Sequence, residues 1–270
     1  MIMICQCVAL AFFSCENKEE ASLFNEGKNS VKDLSVSNNA YEETAEFSDQ
    51  ELMDYIHAKS KEYGVDICAL SEQGYQSVSD SLLNMCLFNK IENNAFVNET
   101  IELLREYLIQ MEEAMSNEDT LAMEDAYVHI YNVLNCEEYV SLKDIILNGE
   151  DMLVAYSDFV RGSLLEIEKT YPNFQRLTQT QKEDVIYLAD VYSEIKLNNA
   201  KAAPIDACQK CKRDYNRSKS IANAKAMVEL GVCMYTGPMA GYCCAGVLAI
   251  LAIDLGAILD EYSYCVRANC

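Results

Sequence analysis

Tryptophan is absent from this 270-residue chain, histidine occurs twice, and only three prolines and ten glycines interrupt it. So few breakers leave little room for the turns of a many-stranded sandwich. The long stretches rich in Ala, Leu, Glu, Lys, Met and Gln favour helix instead. His57 and His129 have no partner at metal-ligand spacing, so no H-E-x-x-H zinc motif exists. No G-x-S-x-G elbow, Walker loop or dinucleotide-binding glycine cluster occurs either.

Basic charge is scarce as well. Lys and Arg number 21 against 43 Asp and Glu, a formal charge of -22. The imbalance is local: residues 1–204 hold 14 basic and 37 acidic side chains, residues 205–270 hold 7 and 6. A field of that sign repels phosphates, which argues against a nucleic-acid partner. Half the residues are apolar, so the acidity belongs to the solvated surface of a folded protein. Glu112-Glu113 and Glu137-Glu138 are adjacent rather than facing, which suits solvated faces better than an acid/base pair. The expectation is a protein that is not an enzyme and uses no cofactor or metal.

The first 14 residues, MIMICQCVALAFFS, are nearly all apolar and are followed by Cys15 and an acidic run from Glu16 to Glu20. The run is too short to span a bilayer as a helix but suits the core of a signal peptide. A short apolar core, a small residue and then cysteine resembles a bacterial lipoprotein signal. That resemblance implies cleavage before Cys15, lipidation of Cys15, and a place on the outer membrane or cell surface, with extracellular release as a further outcome. Residues 15–46, rich in Glu, Asn and Ser, read as a flexible acidic tether.

Residues 47–199 read as an acidic helical domain. Ser48-Asp49-Gln50-Glu51 is a capping box, and Leu52, Tyr55, Ile56 and Tyr63 recur at helical spacing until Gly64. Further helices fit about 76–92, 96–115, 119–135, 141–148, 150–171 and 180–198 by the same criterion. The whole chain is therefore expected to be all-α, an irregular helical bundle followed by a small disulfide-stapled antiparallel helical hairpin.

That hairpin is placed at 205–270, after the break Ala200-Lys201-Ala202-Ala203-Pro204. Of 13 cysteines, seven lie in the last 63 residues. Such density in an exported chain reads as a disulfide framework. Cys208, Cys211, Tyr215, Ser218, Ala222, Ala226, Leu230 and Cys233 advance by three or four, so they share one helix face. Thr236-Gly237-Pro238 breaks the helix, and a second, very apolar one fits about Met239 to Tyr264.

Folding the chain back at that break makes facing positions add to a constant. Cys233 with Cys243 gives 476, Cys211 with Cys265 gives 476, and Cys208 with Cys270 gives 478. Cys244 is left over, and it could exchange roles with Cys243 or reach Cys68, Cys86 or Cys136. Cys208-x-x-Cys211 is also a redox or zinc half-site, although its neighbours suit disulfides better. Gly231 to Ile253 is 23 residues without a charge, long enough for a membrane span. Gly237-Pro238 divides that run, which favours a buried hairpin. Lys210, Lys212, Arg213, Arg217, Lys219 and Lys225 give the first helix a basic character, the candidate membrane-facing side.

Cys208-x-x-Cys211-Lys212, the Gly- and Ala-rich middle with Cys233, Cys243 and Cys244, and Asp260-Glu261-Tyr262-Ser263-x-Cys265 ending at Cys270 resemble the halocin-type (microhalocin) cysteine-rich bacteriocin domain. The resemblance covers about a quarter of the chain. It implies an exported, stapled antimicrobial peptide made as the tail of a larger precursor, acting on a lipid bilayer or envelope component, with an immunity protein as a further partner. The alternative expectation is a surface lipoprotein, a binding or adhesion module whose cysteine-rich tail is structural.

Overall fold

The computed structural model describes residues 40, 44, 47–72, 85–93, 97–147, 152–198 and 206–270. Ten α-helices and no strand occur among them: α1 Asp49–Tyr63, α2 Ile67–Glu72, α3 Cys86–Glu92, α4 Asn98–Ser116, α5 Thr120–Asn135, α6 Leu142–Leu147, α7 Met152–Thr170, α8 Gln179–Asn198, α9 Ala207–Cys233 and α10 Ala240–Asn269. A 3₁₀ turn, Phe174–Arg176, precedes α8, and another, Met234–Met239, joins α9 to α10. The protein is all-α, a bundle with a stapled antiparallel helical hairpin. The segment expected to be a signal peptide, Cys15 and most of the helix expected at 76–92 lie outside the described residues.

Local chemistry sets the helix ends. Ser48 and Glu51 close the capping box that starts α1, and Gly64 ends it in the left-handed conformation at φ 63°. Thr178 and Gln181 pair in the same way before α8, with the Thr178 N–H donating to Gln181 Oε1 at 3.0 Å. Asp119 caps α5 through the Ala122 N–H. At the other end of α5, Cys136 takes the left-handed cap that glycine usually occupies, at φ 55°. Helix α10 runs to Asn269 rather than stopping near Tyr264, since Cys265-Val-Arg-Ala-Asn contains no breaker.

The packing order explains where the core sits. Helix α8 lies against α1 and α2 on one side and α9 on the other. Helix α9 packs along α10, and α10 in turn meets α3, α4 and α5, while α7 touches both arms of the hairpin. The hairpin therefore stands between two groups of helices and belongs to the same hydrophobic core as both. The composition break at Ala200–Pro204 does not divide the interior. Leu248, Ala249, Leu251, Ala252, Leu255 and Leu259 are buried, and Cys244 is buried among them. Gly256 lets α10 approach α4, where an added Cβ would stand 3.1 Å from Ile101.

Two positions in the stretch expected to be a tether lie in the bundle. Ala40 and Thr44 are both buried. The Ala40 N–H donates to Asp184 Oδ1 on α8 at 2.8 Å, and Thr44 accepts from Arg217 on α9 through its carbonyl at 3.4 Å.

Truncating Leu248 to Ala removes a fully buried side chain from the centre of this packing. A loss of about 2–5 kcal/mol is expected. Leu121→Ala, at a position 76% exposed, is expected to change stability by less than about 0.5 kcal/mol. Urea titration of both variants followed by circular dichroism checks the contrast.

Candidate functional site at the open end of the hairpin

Two disulfides lie at the open end of the hairpin and one at its turn. Cys208 bonds Cys270 with Cα atoms 5.5 Å apart, Cys211 bonds Cys265 at 5.8 Å, and Cys233 bonds Cys243 at 5.4 Å. These are the pairs that the fold-back count brings opposite one another. A fourth bridge, Cys86–Cys136 at 5.7 Å, ties α3 to the end of α5. It removes both cysteines as partners for Cys244. Nothing in the sequence singled it out, because α3 and the αL cap of α5 meet only after α5 folds back on α4.

The hairpin changes character along its length. From about Ala222 to Leu259 its facing surfaces are buried, whereas residues 206–210 and 267–270 are exposed. Between these regions a groove of about 290 Å³ opens, lined by Lys210, Asp214, Tyr215, Ile258, Glu261 and Tyr262, among others. Cys211 and Cys265 help to wall it. The Tyr215 and Tyr262 rings stand 4.8 Å apart, centroid to centroid. Burial pushes the Tyr215 hydroxyl up to about 12, so it stays protonated as a donor.

The six basic residues expected on one lipid-facing side do not share a surface. Lys210 and Lys212 are exposed near the start of α9. Arg213 is half-buried, 3.8 Å from Asp214. Lys219 donates to Glu92 on α3 at 2.7 Å. Lys225 is half-buried on the interior side, where its charge acts on Glu183 and Asp254. Arg217 is only 3% exposed and reaches inward to the Thr44 carbonyl and to Asp49, 4.0 Å away. The correction has a simple cause: six residues spread over 16 positions wrap around a helix. A count of charges cannot tell a solvated face from one turned into a neighbour.

Helix α9 thereby meets α8 through a polar layer. Elsewhere on α8, Asp184 accepts from the Tyr63 hydroxyl of α1 at 3.0 Å and from the Ala40 N–H. Asn216 donates to Glu194 at 2.6 Å, and Ser220 donates to Asp190. Desolvation raises the Glu183 and Glu194 carboxyls above their usual range, partly offset by hydrogen bonds from Gln179 and Asn216. Asp254 on α10 is raised for the same reason, partly offset by Lys225 and Arg105.

Of the two histidines, His129 is stacked on Tyr107 with centroids 4.5 Å apart, and its Nε2 lies 3.6 Å from Asp125. Among the described residues no three His, Cys, Asp or Glu side chains are arranged to hold a metal ion. By length and composition α10 could cross a membrane, but 67% of its apolar window is buried inside the protein.

A pH dependence follows from the raised carboxyls. Folding favours their protonated forms, so the folded chain holds more protons than the unfolded one just above the ordinary carboxylate range near 4. The stabilisation is complete below the unfolded pKa values and is lost as pH rises through the raised ones. Exposed Glu51 and Asp144, lowered by their bonds from Ser48 and Ser141, act in the opposite direction at lower pH. The urea midpoint should therefore be higher at pH 5 than at pH 7.5, and the combined variant Glu183→Gln, Glu194→Gln, Asp254→Asn should narrow that difference.

No protein-family model, no curated protein and no solved structure matches the chain.

Proposed function

We propose that the chain is an exported, non-catalytic surface protein that works by binding, with the cysteine-rich hairpin as the structural spine of its bundle. The observation that carries this reading is the burial of α10 between α9 on one side and α3, α4 and α5 on the other. Burying Leu248, Leu251, Leu255 and Leu259 contributes about 6–12 kcal/mol at about 1.5–3 kcal/mol each. That is the size of a whole domain's net stability of about 5–15 kcal/mol. Withdrawing the hairpin to meet a bilayer would undo the bundle. Four disulfides support export, since such bridges persist in oxidising compartments. The apolar segment before Cys15 supports the same compartment, with Cys15 as the lipid attachment point on an outer-membrane or cell-surface protein.

A second reading is the bacteriocin-like one, in which the hairpin is released and perturbs a competitor's envelope. Its specific support is the 30-residue length and apolar character of α10, combined with the resemblance of the tail to the halocin-type domain. In that case residues 47–198 would shelter an apolar arm until a cut frees it, and an immunity partner would protect the producer.

A protease site engineered between Ala200 and Pro204 separates the two. After cutting the oxidised, folded protein, the two pieces should co-elute in gel filtration without denaturant, and anionic vesicles should stay sealed. A free 205–270 piece that leaks those vesicles would overturn the binding reading in favour of the second.

A further inference from the structure

The four described disulfides differ in what stands between them and solvent. Cys208 and Cys270 are both exposed. Cys86 and Cys136 are each half-buried. Cys211 is 2% exposed, with half-buried Cys265 as its partner. Cys233 and Cys243, at the turn, are 0% and 1% exposed. Asn269 lies over the inner bridge of the open end: its Nδ2 is 3.9 Å from Cys211 Sγ and 3.6 Å from Cys265 Sγ. The same residue's carbonyl is 3.8 Å from Cys208 Sγ. The outer bridge and Asn269 thus form one cover above the inner bridge. We propose that Cys208–Cys270 is a thiol-exchange site, opened by small thiols ahead of the other described bridges, with Asn269 shielding Cys211–Cys265 beneath it.

The direction of attack follows from the ends of the two helices. Cys208 is the second residue of α9, whose start is capped by Asp206 accepting from the Gln209 N–H at 2.7 Å. Amide N–H groups in a first turn stabilise negative charge, and Lys210 and Lys212 follow within the next turn. Cys270 instead follows the last turn of α10, where carbonyls disfavour an anion. Cys208 is the better leaving group. An incoming thiolate bonds to the Cys270 sulfur, the Cys208–Cys270 bond breaks, and its electron pair leaves on Cys208, which then takes a proton. A second thiol attacks the added sulfur, giving the oxidised small disulfide and a Cys270 thiol. Two thiols are oxidised and one bridge is reduced. The apolar part of the hairpin stays seated, because its contacts and the Cys233–Cys243 bridge lie in the core.

The full folded protein is exposed to graded reduced glutathione, quenched in acid, alkylated, and analysed by peptide mass spectrometry. Cys208 and Cys270 should be alkylated on the order of tenfold faster than any other described bridge pair, with unchanged helical circular dichroism. The trapped glutathione adduct should sit on Cys270. Asn269→Ala should bring Cys211 and Cys265 into reaction at lower thiol concentration while leaving Cys86–Cys136 unaltered. Opening of Cys86–Cys136 first, or of all bridges together with loss of helix, overturns the site. Glutathione on Cys208 overturns the direction of attack, and an Asn269→Ala variant that reacts like the parent overturns the shield.

Discussion

Helix α10 has an apolar surface too broad for one partner to cover, and the rest of the fold is arranged to bury it. Helix α9 covers one side along the hairpin, while α3, α4 and α5 cover another and α7 closes against both arms. Small residues make this possible. Ala222 and Ala226 on α9 and Gly246 and Ala249 on α10 are buried in the hairpin, where larger side chains would push the helices apart. Gly256 serves the contact with Ile101 of α4 in the same way.

The second arm solves a different problem. Helix α9 is far more polar than α10, yet it too is enclosed, between α8 and α10. Several of its polar groups are matched across the interface, with Ser220 and Asn216 meeting Asp190 and Glu194, and Arg217 meeting the Thr44 carbonyl and Asp49, whereas Arg213 Nε is buried without a hydrogen-bond partner. Buried polar groups without partners would cost far more than these pairs return. One arm of the hairpin is thus held by apolar burial and the other by apolar burial together with paired polar groups. At the open end, exposed residues and two bridges replace packing.

This layout bears on how the tail works. A stapled apolar hairpin resembling a bacteriocin module reads, in isolation, as something built to meet lipid. Inside the bundle the same apolarity is already used. At the open end of the hairpin, Lys210, Asp214, Glu261 and the Tyr215–Tyr262 pair surround a groove, while Val232 and Tyr235 are exposed at its turn.

The sequence by itself determined the all-α class, the capping box at Ser48, and a break between two tail helices, because these depend on neighbours three or four positions away. It also set which cysteines come opposite one another in the tail, since a short turn between two helices fixes their register. Only the tertiary structure decided which way each helix face points. That is why Arg217 turned out to be interior, why Ala40 and Thr44 joined the core, and why Cys86 met Cys136. It also decided that the hairpin is the centre of the bundle rather than an appendage. An apolar run states that it must be covered, but what covers it depends on helices remote in sequence, whose arrangement no local pattern encodes.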